Sequence, residues 1–311
     1  MTRRQQTLPE DILEKLDSSK PVMYFNYAGL TSTGMVRDHN EDAYKLPEEA
    51  DAMTLANKGY LYVLADGMGG HQKGEIASAV TIETVNSEYY ATITSLEGDD
   101  SAEVIIRALS NAIEKANNQV MDATEGGGTT VVAAVLHGDS LVTMNVGDSR
   151  AYLLRDNELH LISKDHSLVS RLVELGKISE EEALNHPRRN VLYQALGQGA
   201  EVDTYIFREK LKLNDIVILC SDGLWGEVSE PTLKEILSNT PSPLVAARQL
   251  IDLANASGGP DNITAIIIQV SDQELAESGE VDDEASQTVI SPLTPSHVST
   301  PKYERPRTLP E

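Results

Sequence analysis

Acidic residues recur where short apolar runs meet glycine or serine, and this pattern constrains the fold more than any other feature of the 311-residue chain. Asp66 closes Tyr60–Ala65 (YLYVLA) and is followed by Gly67-Met68-Gly69-Gly70-His71. Asp148 follows LVTMNV and Gly147, Asp222 follows Ile216–Cys220 (IVILC) and Ser221, and Asp261 stands in Gly258–Asn262 directly before Ile263–Val270 (ITAIIIQV). The runs are short, apolar and partly β-branched, as buried strands are. Glu41 and Asp42 form a further acidic pair in Arg37-Asp38-His39-Asn40-Glu41-Asp42. One Asp beside Gly at a strand end is ordinarily a turn whose carboxylate bonds nearby N–H groups. Several in one chain shift the balance, because strand ends of one layer converge at one edge.

The remaining periodicity predicts an α+β fold. Between Thr129 and Ile162, TTVVAAVLH, LVTMNV, AYLLR and LHLIS read as a meander with turns at Gly138-Asp139 and Asp156-Asn157. Such short connections imply antiparallel pairing. Helices are predicted over Glu75–Tyr89, with Ile76, Ala79, Val80 and Ile82 inward, and from Ser101, with Ile105, Ala108, Leu109, Ala112 and Ala116 on one face after an Asp100/Glu103 capping pair. A third runs from Pro243 to Ser257 and stops at Gly258. Aromatics are only 5% of residues, so Val, Ile, Leu and Ala must fill the core. The domain spans residues 22–271. Residues 1–21 are a polar extension with a short helix over Pro9–Asp17, and 272–311 are a Ser/Thr/Pro-rich acidic tail that buries too little to order itself. Thr-Leu-Pro-Glu at both ends of the chain is read as coincidence.

Charge removes whole classes of function. With 49 Asp+Glu against 25 Lys+Arg and a net charge of −24, the chain has no basic stripe for a phosphate backbone or an anionic membrane. No uncharged apolar run is long enough to span a bilayer. Cys220 has no partner for a disulfide, and no signal peptide is evident, so a reducing cytoplasm is expected. Within its apolar strand Cys220 is read as packing, as is Trp225.

Carboxylates meeting at one edge repel unless a cation neutralises them. Hard oxygen ligands select Mg²⁺ or Mn²⁺, and zinc lacks its usual Cys and His clusters. Two such ions ~3.5–4 Å apart share a water, lower its pKa and hold a hydroxide in line with a phosphoryl group. Gly67 lets the backbone carbonyl beside Asp66 approach a metal. Arg37, five residues before Asp42, is the natural guanidinium for the phosphate oxygens.

Taken in order, Arg37–Asp42, Asp66–His71, Gly128-Thr129-Thr130, Asn145–Arg150, Asp165-His166-Ser167, Ser221-Asp222-Gly223 and Gly259–Asn262 resemble the protein phosphatase 2C family of metal-dependent serine/threonine phosphatases. DGMGGH and NHPRRNVLYQALG are most similar to its bacterial branch. The resemblance implies a four-layer α-β-β-α sandwich of two antiparallel sheets between antiparallel helix pairs, with the metal centre at one edge. It implies that Asp42, Asp66, the Gly67 carbonyl, Asp222 and Asp261 ligate two Mn²⁺ or Mg²⁺ ions, Asp66 bridging. Glu41 then acts on the metal-bound water, Arg37 holds the substrate phosphate, and Asp148 with Asp222 marks a third ion. It further implies a flap at about 165–207 that shapes substrate choice, with Arg188 and Arg189 available to a phosphopeptide. The expected substrates are phosphoserine and phosphothreonine proteins, and the expected counterpart is a bacterial serine/threonine kinase. The chain is expected to act as a cytoplasmic monomer.

One departure bears on mechanism. Many eukaryotic relatives carry His directly after the Asp-Gly, and here that position is Met68, whose thioether donates no proton. His71 lies three residues on and is as readily a surface histidine. A metal-bound water or solvent is therefore expected to protonate the leaving group, and His71→Ala to retain much of its activity. Two other readings stay open: a pseudophosphatase that binds phosphoproteins without turnover, and a small-molecule phosphate esterase. In the tail, Thr288, Ser291, Thr294 and Thr300 are candidate phosphorylation sites, although an unmodified solubilising tail is the simpler reading.

Overall fold

The computed structural model describes residues 23–47, 51–69, 72–96, 101–184 and 186–273. The helix expected over Pro9–Asp17, the tail with its candidate phosphorylation sites, His71 and Asp100 lie outside the described residues. One sheet joins, in spatial order, β1 (Tyr24–Ser32), β11 (Ile263–Ser271), β10 (Ile216–Cys220), β7 (Arg150–Arg155) and β8 (Glu158–Leu161). The other joins β2 (Asp42–Lys45), β3 (Tyr60–Met68), β5 (Val131–His137), β6 (Ser140–Val146) and β9 (Tyr205–Lys210), with the short β4 (Gly128–Thr129) against β3. All the strand pairs are antiparallel.

Alternation along the strands builds the layers. On β3, Tyr62 and Leu64 enter the core between the sheets with Val132, Leu136, Val217, Leu219, Ile266 and Ile268. Leu61, Val63 and Ala65 face the other way, onto α2 (Gln72–Thr92) and α3 (Ser101–Thr124), where they meet Val85, Tyr89, Ile105, Leu109 and Ile113. On β10 and β11, Ile218, Cys220, Ile263, Ala265 and Ile267 pack against α7 (Glu230–Asn239) and α8 (Pro243–Ala256) through Leu233, Leu237, Ala247 and Leu250. Strands buried on both faces read as continuous apolar runs, and these do. A short α1 (Ala52–Lys58) precedes β3, while α4 (Leu168–Glu174), α5 (Glu180–Leu184) and α6 (Asp222–Trp225) lie in the connections.

Three expectations need correction. The meander is broken in the middle: β5 and β6 form a hairpin in one sheet, β7 and β8 one in the other, and β6 does not pair with β7. Gly147-Asp148-Ser149 therefore carries the chain between sheets. On α2, Ile76 and Ala79 are exposed, and the buried face is Ala77, Ser78, Thr81, Ile82, Thr84, Val85 and Tyr89. Small hydroxyl residues fill that face, where Thr84 bonds Gln119 of α3, so hydrophobicity alone pointed to the wrong side. Tyr205–Phe207, read as the end of the flap, begins β9 and pairs with β6. The inward face of α3 is as expected, with Ile105, Ala108, Leu109, Ala112 and Ala116 all buried. No helix among the described residues is long and apolar enough to cross a membrane.

Candidate active site

Asp42 and Asp66 face each other in the β2–β3 register. Asp66 is held by its backbone: Thr130 donates its N–H to the Asp66 carbonyl at 2.9 Å, and the Thr129 hydroxyl donates to the same oxygen at 2.8 Å. The Asp66 N–H donates to the Thr130 hydroxyl at 3.0 Å, which in turn pairs with Ser149. Beside it Gly67 has no room for a side chain, since a Cβ there would lie 2.2 Å from the Gly74 carbonyl oxygen and 2.6 Å from that of Glu41. Glu41 is itself buried, and a Cβ on Gly74 would lie 2.6 Å from its Oε2.

Asp42 sits deepest. Its Oδ2 accepts from the Ser221 hydroxyl at 2.8 Å and the Thr264 hydroxyl at 2.6 Å, whereas its Oδ1 is buried with no hydrogen-bond partner. Asn262 ties the loops together. Its Oδ1 accepts from the Glu41 N–H, and its Nδ2 donates to the Thr33 and His39 carbonyls. Asp222 opens α6 after Ser221. Asp261 receives the Arg37 guanidinium at 2.7 Å.

Asp148 is fixed from both sides at the crossing between sheets. Trp225 donates its indole N–H to the Asp148 carbonyl at 3.0 Å. The neighbouring Gly147 donates its N–H to His166 Nδ1 and accepts the His166 N–H at 2.9 Å. Arg150 lies 3.7 Å above the Trp225 ring and forks onto Asp165 at 2.8–3.3 Å. Trp225, expected only to pack, thus also orients Asp148. Cys220 is buried, and that burial pushes its thiol up to about 12, consistent with a packing role.

Arg37, Glu41, Asp66, Gly67, Asp148, Asp222 and Asp261 line one cleft of about 370 Å³, with Asp42 behind them. Asn190, Leu192, Tyr193, Gln194 and Gln198 complete its lining from the segment after α5. Every residue the sequence singled out for the site is gathered here, whereas Arg188 and Arg189 are exposed and do not line the cleft. Ser221, Asn262 and Thr130, quoted in the motifs without a role, position the acids, as does Thr264, which was missed along with Gly74, which admits Glu41. A glycine in the first turn of a helix, where it weakens the helix, was the available signal.

Burial, reinforced by neighbouring carboxylates, raises the carboxyls of Asp42, Asp66, Asp148 and Asp222 well above their usual range. This is the charge pattern that a bound cation relieves. The donor set is all oxygen, and the unpartnered Asp42 Oδ1 supplies a buried ligand atom. The acids are gathered without being preset as a cage. Among the described residues no group of three or more His, Cys, Asp or Glu has metal-binding spacing.

A pH dependence follows for protein stripped of cations. The unfolded carboxyls ionise near 3.8, the folded ones at about 6 for Asp222, 7 for Asp42 and 8 for Asp148. Between those values the folded state holds more protons, so its stability falls as pH rises. Melting of stripped protein should therefore drop from about pH 5.5 to about pH 8, and a rise over that window would contradict the assignment.

Residues 36–255 match the family described as Protein phosphatase 2C. The chain belongs to the protein phosphatase 2C family. It is 38% identical over 245 residues to the serine/threonine phosphatase stp of Listeria welshimeri, covering 77% of this chain and 93% of that protein. The crystal structure of the serine/threonine phosphatase PstP/Ppp of Mycobacterium tuberculosis superposes with a TM-score of 0.67 at 36% identity, over 79% of this chain and 99% of that one. A PstP catalytic domain solved with two manganese ions gives a TM-score of 0.67 at 35% identity, over 80% of this chain and 100% of that one. These likenesses bear out the resemblance read from the motifs, and with them the expected sandwich.

Proposed function

We propose that this chain is a metal-dependent protein serine/threonine phosphatase. The observation that carries the reading is the convergence of Asp42, Asp66, Asp148, Asp222 and Asp261 beside a single cleft-lining arginine, in a fold shared with named serine/threonine phosphatases. Divalent cations, Mn²⁺ or Mg²⁺, supply the Lewis acidity that makes water a nucleophile near neutral pH. Asp42, Asp66, the Gly67 carbonyl, Asp222 and Asp261 would hold two such ions, and Asp148 with Asp222 would be the place for a third. Arg37 keeps its contact with Asp261 through one Nη and presents its remaining N–H groups to the phosphate. Glu41, buried and lining the cleft, would take up the proton of the attacking water.

The substrates are phosphoserine and phosphothreonine in proteins, and the enzyme works as a cytoplasmic monomer against a serine/threonine kinase. The PstP domain solved with two manganese ions supports the cation count.

The discriminating assay is phosphate release, in the presence of Mn²⁺, from a phosphothreonine peptide, a matched phosphotyrosine peptide and small sugar phosphates. Release from the phosphothreonine peptide at least about tenfold faster than from the others is expected. Equal or faster release from sugar phosphates favours a small-molecule esterase, and phosphopeptide binding without release favours a pseudophosphatase.

A further inference from the structure

Met35 and Val36 are 69% and 67% exposed, the two most exposed large apolar side chains among the described residues. Isolated exposed apolar residues need no explanation. These two are adjacent, and they immediately precede Arg37, which lines the cleft. Their backbone is held firmly. Met35 donates its N–H to the Gly259 carbonyl at 2.8 Å, and Asn262 Nδ2 donates to the Thr33 carbonyl at 2.9 Å. Gly34, at φ +80°, packs so tightly that a Cβ there would lie 2.1 Å from the Asp261 carbonyl oxygen. The loop that carries Arg37 thus presents two apolar side chains to water from a position fixed relative to Asp261.

A second apolar lip comes from a different segment. Tyr193 lines the cleft and is 51% exposed. Its N–H donates to the His166 carbonyl at 2.9 Å, its ring lies 5.6 Å from that of His166, and His166 is bonded to Gly147 beside Asp148. Both lips are therefore tied to the loops that carry the acids. With the bound cations offsetting the cleft acids, apolar residues that flank a phosphate held by Arg37 meet Met35, Val36 and Tyr193.

We infer that Met35, Val36 and Tyr193 form a recognition rim that selects phosphopeptides with apolar rather than polar residues flanking the phosphoresidue. The inference rests on the phosphatase reading and names the substrate class for the same site.

The test compares three phosphothreonine peptides differing only in their flanking residues, which are leucine, asparagine or aspartate, with an aryl phosphate as a probe that has no flanks. For the unmodified protein kcat/KM for the leucine peptide should be about tenfold above that for either polar peptide, the low end of what one apolar contact discriminates. In the Met35→Ser/Val36→Ser protein and in Tyr193→Ser, the leucine-to-asparagine ratio should fall towards one. The ratio is the readout, so a general loss of rate does not imitate the effect. Equal rates on leucine and asparagine peptides, or an unchanged ratio in both variants, would overturn the rim. Failure to hydrolyse the aryl phosphate and every peptide would instead overturn the phosphatase reading, and the rim with it.

Discussion

Asp66→Asn is expected to lower kcat by at least about 10³-fold, the upper end of the cost of losing one preorganised electrostatic group, while the protein stays folded. The substitution keeps the shape of the side chain and the backbone bonds to Thr129 and Thr130 that hold the strand end. What it removes is one negative charge from a cluster in which burial and neighbouring carboxylates already oppose ionisation. The consequence for stability runs opposite to that for activity. Without cations at neutral pH the variant should melt above the unmodified protein, by about 2–4 °C for each 1 kcal/mol of repulsion relieved. Added Mn²⁺ should raise the melting temperature of the unmodified protein more than that of the variant, since binding to the folded state stabilises it by mass action. Parallel melting and turnover measurements check both halves. A variant that is less stable without cations, and equally stabilised by them, would show that Asp66 is a structural turn residue.

Gly67→Ala should be damaging for a different reason. A Cβ at Gly67 meets backbone on two sides, the carbonyl oxygens of Gly74 and Glu41, and neither neighbour is the end of a flexible side chain. The first turn of α2 must move away from β3, or the strand end must twist and take Asp66 with it. Overpacking of this kind costs roughly 2–3 kcal/mol. Turnover should fall about a hundredfold even in well-folded protein, since a displacement near 1 Å at a reacting centre costs that much. Chemical denaturation with parallel kinetics provides the check. A variant of unchanged stability and rate would mean that the close approach of α2 to β3 does not position the site.

Much of this was legible in the chain because the signal was local. IVILC is β10 residue for residue, and ITAIIIQV is β11 less its last position, since a strand buried on both faces advertises itself as an apolar run. The acids were legible because they interrupt such runs at glycine, and all those singled out line the cleft or lie directly behind it. What stayed hidden depends on contacts between distant segments. Nothing local distinguishes Gly147-Asp148-Ser149 from a hairpin turn, yet there the chain leaves one sheet for the other. The strands β1 and β2 went unassigned, one a mixed polar and aromatic run and the other only four residues long. On α2 the exposed Ile76 gave way to a buried face that includes the small residues Gly74, Ser78 and Thr81. Thr264 resembles any strand threonine until β11 lies beside β10, where its hydroxyl and that of Ser221 reach the same Asp42 oxygen. The motif resemblance supplied the roles, and the geometry shows how each acid is held.

The central claim is that the carboxylates at the sheet edges exist to hold divalent cations on which phosphate hydrolysis depends. Its most direct test is to strip the protein with chelator and titrate Mn²⁺ back, recording heat of binding and phosphate release from a phosphothreonine peptide on the same sample. The account predicts no measurable turnover in stripped protein, and turnover that returns in step with the binding of the first two ions per chain. Full turnover in stripped protein, or saturated binding without turnover, would contradict it.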